Sequence, residues 1–390
     1  MYYTVRHITR FRYSAPISQS VMEVWMQPRT ETNQRCLSFN LSVTPQAKPL
    51  SYRDYLGNTV HHFNIPGAHR YLNITAQSQV EVRPILDLPE RLPESAWDDL
   101  DASQFDMLLP SHFTHPSPML HELAEELNVA RRDDPLTLLK QLTTGMYRTF
   151  EYAPDSTHVH SQIDEALDDR RGVCQDFTHI MLALVRPLGI PCRYVSGYLP
   201  PRSGGRSTPG ASHAWLEALL PGLGWVGFDP TNNLLANERH IRVAVGRDYL
   251  DVPPTRGVFK GAAETELHVW TTSPRRKAGW WPRTTSPTGM PNRNSSSNSS
   301  DFGDLINAPF YRRCVYAGTA VRLGSPPRGG AGAGLSAFGT AGDQPYQRRG
   351  GSHRAGTLPE GAGIGSRMEP LAALLGSGRD RAGSLQLVGL

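Results

Sequence analysis

Cysteine is scarce in this chain. Four residues, Cys36, Cys174, Cys192 and Cys314, are scattered over 390 positions with no C-x-x-C pair. That excludes a disulfide-built scaffold and gives no zinc-knuckle or dithiol signature. A reducing compartment follows as the expectation. Long apolar runs are missing too: none approaches the roughly 18 residues needed to span a bilayer. The opening Met1-Tyr2-Tyr3-Thr4-Val5-Arg6-His7 lacks the apolar stretch of a signal peptide. A soluble cytoplasmic protein with no membrane partner is therefore expected. No acidic cluster has the spacing of a calcium loop, so metal and cofactor independence is expected as well. The net charge of +4 is also misleading, because from Thr271 onward there are 15 Lys/Arg against 6 Asp/Glu. Residues 1–270 are net acidic, and nothing in them asks for nucleic acid.

What is present divides the chain. Residues 1–85 are β-rich, with runs at Met1–Tyr13, Val21–Met26, Cys36–Val43, Thr59–Ile65 and Leu72–Val82 separated by Pro, Gly and Asn. Short strands with turn signals between them predict an antiparallel sandwich or half-barrel. Asp54, His61 and His62 read there as surface or turn residues. Residues 86–118 are rich in Pro and read as a connector. Apolar residues at helical spacing follow at Met119–Leu127 and Pro135–Phe150, each with one core-facing stripe. A short helix is predicted at Ile163–Leu167, stopped by Gly172. A buried helix begins at or next to Cys174, followed by strands Cys192–Leu199, Ala211–Leu219 and Gly224–Asp229. Pro221–Gly224 forms the hairpin turn between the last two. The loop 200–210 reads as an idle surface segment, although it could border a cleft.

From about Thr271 the pattern breaks. Trp270-Thr271-Thr272-Ser273-Pro274-Arg275-Arg276-Lys277 interrupts a strand, and a Ser/Asn run and long Gly/Ala/Arg/Pro stretches follow. Such a composition cannot bury a core. Residues 271–390 read as a disordered basic extension, or as sequence translated out of its native frame.

The chemistry lies in three strings. Cys174 stands in Gly172-Val173-Cys174-Gln175-Asp176-Phe177, His213 in Ser212-His213-Ala214-Trp215, and Asp229 in Gly227-Phe228-Asp229-Pro230-Thr231. A thiol reacts as its thiolate, and a helix N-terminus or a neighbouring imidazolium favours that form. Strand alternation puts His213, Trp215 and Glu217 on one face. The hairpin brings Asp229 back beside His213. Nucleophile, base and orienting carboxylate are the parts of thiol acyl transfer. Each string alone has a plain structural reading: a small buried thiol, a strand histidine, an Asp-Pro turn. Their occurrence together, in this order, favours the catalytic one. Asp176 is expected to cap the helix start, and His179 to be an ordinary helix residue.

Together with Gly189-Ile190-Pro191-Cys192-Arg193-Tyr194-Val195-Ser196-Gly197-Tyr198, Gly224-Trp225-Val226-Gly227-Phe228-Asp229-Pro230-Thr231-Asn232 and His240-Ile241-Arg242-Val243-Ala244-Val245-Gly246, these strings resemble the bacterial transglutaminase-like family, of the papain-like cysteine hydrolase and acyltransferase group. The β-rich start resembles the domain that usually precedes that core, so the resemblance covers roughly residues 1–270. It implies an α+β fold: an N-terminal antiparallel β domain (1–85), a connector (86–118) and a catalytic core (119–270). Cys174 would lie on a helix, with His213 and Asp229 on adjacent antiparallel strands. It implies a thioester on Cys174, with Gln175, Tyr152 and Trp215 near the substrate or oxyanion, and a protein or peptide as partner. Hydrolysis of carboxamide or peptide bonds is expected ahead of amine-accepting transglutamination. A non-catalytic scaffold of the same fold is the reading from a different class.

Overall fold

The computed structural model describes residues 1–31, 33–84, 88–154, 156–201, 205–206, 210–276, 315–317, 321–322 and 385–389. The remainder of residues 277–390, and with it the expectation of an altered reading frame, lies outside the described residues.

Alternation builds the first strand, β1 (Tyr2–Ile17). Tyr3, Val5, His7, Phe11 and Tyr13 are all buried, because every second side chain of a strand faces one side. The chain continues through β2 (Gln19–Val24), β3 (Gln34–Thr44), β4 (Leu50–Arg53), β5 (Thr59–Ile65) and β6 (His69–Val82). β4 was not foreseen; all four of its residues are exposed, so it has no buried face to leave a pattern. Asp54 is a turn residue: Oδ1 accepts the backbone N–H groups of Leu56 and Asn58 at 3.0 and 2.9 Å.

The segment 88–117 is more than a linker. Trp97, Met107 and Phe113 are buried in it, and Trp97 and Phe113 join the main core. Two helices follow, α1 (Pro118–Glu126) and α2 (Pro135–Thr149). Ser117 and Asp134 cap them through side-chain oxygens, with Pro at the first helical position in each, as helix starts favour. Then come β7 (Glu151–Tyr152), α3 (Ile163–Asp169), β8 (Arg171–Gly172) and α4 (Cys174–Val185). α3 ends at Arg170, which is left-handed at φ 52°, two residues before the glycine expected to stop it.

A five-stranded antiparallel sheet completes this half. Its strands are β9 (Cys192–Tyr198), β10 (His213–Leu220), β11 (Gly224–Asp229), β12 (Leu234–Leu235) and β13 (Ile241–Gly246), in the order β12-β11-β10-β9-β13. α4 is buried along almost its whole length and packs Phe177, Ile180, Met181 and Leu184 into the core that includes Leu216, Ala218 and Phe228 of the sheet. The same core takes in Tyr3, Val5, Trp25 and Val60 of the β domain.

The chain then returns to where it began. β14 (Thr255–Lys260) pairs with β2, and β15 (Thr265–Thr272) pairs with β1 from Arg6↔Thr272 to Tyr13↔Thr265. The expected boundary at 270 therefore falls inside a strand of the β domain, and 255–270 do not belong to the catalytic sheet. A continuous alternating run looks the same whichever sheet receives it. Within the tail, β16 (Arg275–Arg276), β17 (Val315–Ala317), β18 (Val321–Arg322) and β19 (Leu385–Gly389) extend the two sheets of the β domain. Among the described residues no helix is long and apolar enough to cross a membrane.

β13 is an edge strand, yet its outer side is occupied. The side-chain amide of Gln34 accepts from the N–H of Arg242 and donates to its carbonyl, both at 2.8 Å. Asn58 does the same to Val245, at 2.9 and 2.8 Å. Residues three apart normally face opposite ways on a strand; the bulge between Arg242 and Ala244 turns both outward.

Candidate active site

Cys174 is the first residue of α4, and Val173 before it is extended. The opening turn of a helix leaves backbone N–H groups unpaired and carries partial positive charge. The thiol is therefore placed beside N–H donors that an oxyanion forming next to it would meet. The turn is fixed by Asp176, whose Oδ2 accepts the N–H of Val173 at 2.8 Å and the hydroxyl of Thr157 at 2.6 Å. Valine has no acceptor to return the bond, so only half of a capping box is made. The expected capping role of Asp176 is what the geometry shows. Its carboxyl is buried, and burial outweighs these hydrogen bonds to raise its pKa to about 6.

His213 opens β10, and its Nε2 lies 2.8 Å from Oδ2 of Asp229. The two are not directly opposite. Leu216 pairs with Phe228, so the carboxylate reaches His213 diagonally, from the end of the neighbouring strand. Both side chains are buried. Burial alone would lower the pKa of His213. The charge of Asp229 and its hydrogen bond, and then the Cys174 side chain, reverse this and push it up to about 10. Burial alone would raise the pKa of Asp229, but the His213 charge and the bonds from His213 and His240 hold it well below the usual carboxylate range. With Nε2 committed to Asp229, the remaining ring nitrogen is Nδ1, which is buried and without a partner at hydrogen-bond geometry. Catalytic hydrogen bonds are commonly looser before substrate arrives.

Around this group, Trp215 lies fully buried and stacks on His213 at 6.0 Å between ring centres. It fits because Gly197 and Gly227 have no side chain: a β-carbon on Gly197 would lie 2.6 Å from the indole and would also overlap the carbonyl of Ile241. Gln175 donates to the carbonyl of Val159 at 3.0 Å, so its amide is turned to the loop ahead of α3. Tyr152 sits in β7 opposite Gly172 and meets Phe177 edge-on at 6.4 Å. Glu217, on the face predicted for it, is held by Arg193 at 2.7 Å and by Arg242. His179 is structural: it stacks on Phe113 at 4.8 Å and accepts the N–H of Tyr249 at 3.2 Å.

Sequence reasoning assigned no role to two residues that touch the triad. Asn232 donates Nδ2 to Asp229 Oδ2 at 2.9 Å and its backbone N–H to Oδ1 at 3.2 Å. His240, one residue before β13, approaches Oδ2 at 3.2 Å. Both stood in recognised strings; no spacing rule singles out a carboxylate's further donors. His213, Asp229 and His240 are also the metal-competent grouping among the described residues, their ligand atoms lying within 4.8 Å of one another. Each of these contacts is accounted for as an N–H donor on a carboxylate.

A cysteine opening a buried helix, facing a His–Asp pair on adjacent antiparallel strands, is the architecture of papain-like cysteine enzymes. Residues 3–81 match the bacterial transglutaminase-like N-terminal region, and residues 122–230 match the transglutaminase-like superfamily. An uncharacterized protein of Mycobacterium leprae is 34% identical over 273 residues, 68% of this chain and 95% of that protein. The chain belongs to the bacterial transglutaminase-like family. A protein-glutamine gamma-glutamyltransferase of Pseudomonas aeruginosa is 30% identical over 154 residues, covering 37% of this chain and 22% of that protein. A solved structure from Cytophaga hutchinsonii, provisionally described as a cysteine protease, shares the fold with a TM-score of 0.59 and 22% identity, covering 73% of this chain and 95% of that one.

Proposed function

We propose that this protein is a cysteine hydrolase that cleaves carboxamide or peptide bonds through a thioester on Cys174. The observation that carries the reading is the buried His213–Asp229 pair at 2.8 Å, acting on a thiol at a helix N-terminus. The thiol proton of Cys174 is already carried on Nδ1 of His213, whose pKa lies at about 10, and the sulfur attacks the carbonyl carbon. The oxyanion is met by N–H groups of the opening turn of α4. Collapse of the tetrahedral adduct expels the amine, which receives its proton from His213. Water then attacks the thioester, giving the acid and restoring the thiol. The half-buried position of Cys174 leaves the thioester within reach of water, which favours hydrolysis. The cytoplasm is the proposed location, on the scattered free cysteines. A second reading, transfer to an amine, is favoured by the likeness to the P. aeruginosa glutamyltransferase; the two differ in how well water is excluded.

The test is an N-blocked Gln-Gly dipeptide and a casein digest, each with and without hydroxylamine. Ammonia or new peptide ends without hydroxylamine support hydrolysis. Hydroxamate with hydroxylamine, and neither ammonia nor new peptide ends without it, would move the protein to the transferase reading. No product from either, with Cys174 alkylated no faster than a free thiol and at the same rate in His213→Ala, would leave a scaffold and end the catalytic proposal.

A further inference from the structure

Asp229 receives five hydrogen bonds. Its Oδ1 accepts the N–H groups of Thr231 and Asn232 at 3.1 and 3.2 Å. Its Oδ2 is shared by His213, Asn232 and His240 at 2.8, 2.9 and 3.2 Å. A carboxylate has about four lone-pair directions, so every one is used. The third donor on Oδ2 is a second buried imidazole, which the mechanism above does not employ.

The tautomer of that imidazole is set by its surroundings. The backbone N–H of Asn237 donates to Nδ1 of His240 at 3.1 Å; the Asn237 side-chain oxygen lies farther from Nδ1, at 3.4 Å, and already accepts the N–H of Arg239 at 3.0 Å, so Nδ1 carries the lone pair and the ring proton sits on Nε2, aimed at Asp229. The groups facing His240 are Asp229 from β11, His213 and Trp215 from β10, Arg242 from β13 and Asn237 from its own turn. Burial lowers its pKa; Asp229 opposes this, and His213 and Arg242 add to the lowering. The ring is thus a neutral donor and leaves the negative charge of Asp229 for His213. Trp215 stacks on His213 and meets His240 edge-on at 5.1 Å, so one indole fixes both rings.

We propose that His240 is a positioning residue for the triad: a neutral Nε2–H donor that fixes the Asp229 carboxylate in the one orientation from which Oδ2 can hold His213. The proposal rests on the catalytic reading of Cys174, His213 and Asp229. Nothing in it requires His240 to touch substrate.

The test is the pH profile of Cys174 alkylation by iodoacetamide, read by mass spectrometry, in the wild type, His213→Ala, His240→Phe and His240→Gln, with thermal unfolding of each. Glutamine can present an amide N–H near the place of Nε2; phenylalanine fills the space and donates nothing. Losing a hydrogen bond to a charged group is expected to slow alkylation near pH 6 by roughly tenfold or more in His240→Phe, with His240→Gln restoring most of the rate. A folded His240→Phe protein whose profile overlies the wild type would overturn the proposal, as would equal losses in both variants that follow their melting temperatures. If His240→Phe does not fold, imidazole nitrogen NMR of the wild type decides. An Nε2–H tautomer that is neutral at pH 7 and above supports the proposal, and an Nδ1–H or charged ring there defeats it. Failure of the catalytic reading looks different: His213→Ala would then alkylate like the wild type.

Discussion

The carboxyl of Asp176 occupies the space that a β-carbon on Gly172 would need: Oδ2 lies 2.9 Å from that position. The glycine before the nucleophile is therefore a seat for the helix cap, and the cap is a buried acid. Its folded pKa, about 6, stands above the usual aspartate value of 3.8. A raised carboxyl stabilises the fold fully below the unfolded pKa and loses that contribution as pH rises through the folded one. Asp176→Asn keeps an acceptor for Val173 and Thr157 without the charge. Relative to the wild type, the variant is expected to gain on the order of 3 kcal/mol between pH 4 and pH 7.5, measured by urea unfolding at both. Parallel stabilities at the two pH values would contradict this.

Trp215 depends on the absence of a side chain at Gly197. Gly197→Ala would drive a methyl into the indole and into the Ile241 carbonyl. The indole is packed against both His213 and His240, so stability and reactivity are expected to fall together. A loss of about 2–4 kcal/mol is expected, with slower Cys174 alkylation in whatever protein remains folded. Denaturant titration and labelling on one preparation check both.

Glu217 is buried without access to water, between Arg193 and Arg242. Burial alone would raise its pKa, but the two guanidinium charges and their hydrogen bonds bring it down to about 2. A depressed carboxyl stabilises above its unfolded pKa of about 4.5 and loses that as pH falls through 2. Glu217→Gln takes the paired carboxylate from Arg193 and leaves Arg242 with Glu31 alone, at 3.9 Å. It is expected to cost about 3–5 kcal/mol at pH 7, with the gap to the wild type narrowing below pH 4. A constant gap from pH 7 to pH 3 would rule out the ion pairs as its source.

The parts legible in the sequence were those set by local rules. The alternation of Tyr3 to Tyr13 announced β1, and the leucines of 135–150 announced α2. The turn at Pro221–Gly224 was enough to bring Asp229 to His213. What was missed depends on partners far along the chain. That β15 lies on β1 follows from pairing across more than 250 residues, for which a strand's own pattern carries no address. His240 lay in a recognised string but shows no periodic signal; its importance is a matter of one carboxylate's unfilled lone pairs. The Pro-rich stretch read as a connector because Trp97 and Phe113 are isolated apolar residues among turns, and isolated residues give no period.

The two amides on the edge of β13 have a consequence for where this protein can be divided. Gln34 and Asn58 supply, from the β domain, the donor and acceptor that a neighbouring strand would have given Arg242 and Val245. Cut away from that domain, the catalytic sheet would present two bare N–H and C=O pairs on an open edge, the feature by which sheets recruit foreign strands. Glu31, which reaches Arg242 at 3.9 Å, would leave at the same time. A fragment that begins after the β domain and keeps β13 would thus be a sheet with an adhesive side, linked to His213 through His240 and Asp229. The β domain serves the catalytic half as its missing last strand.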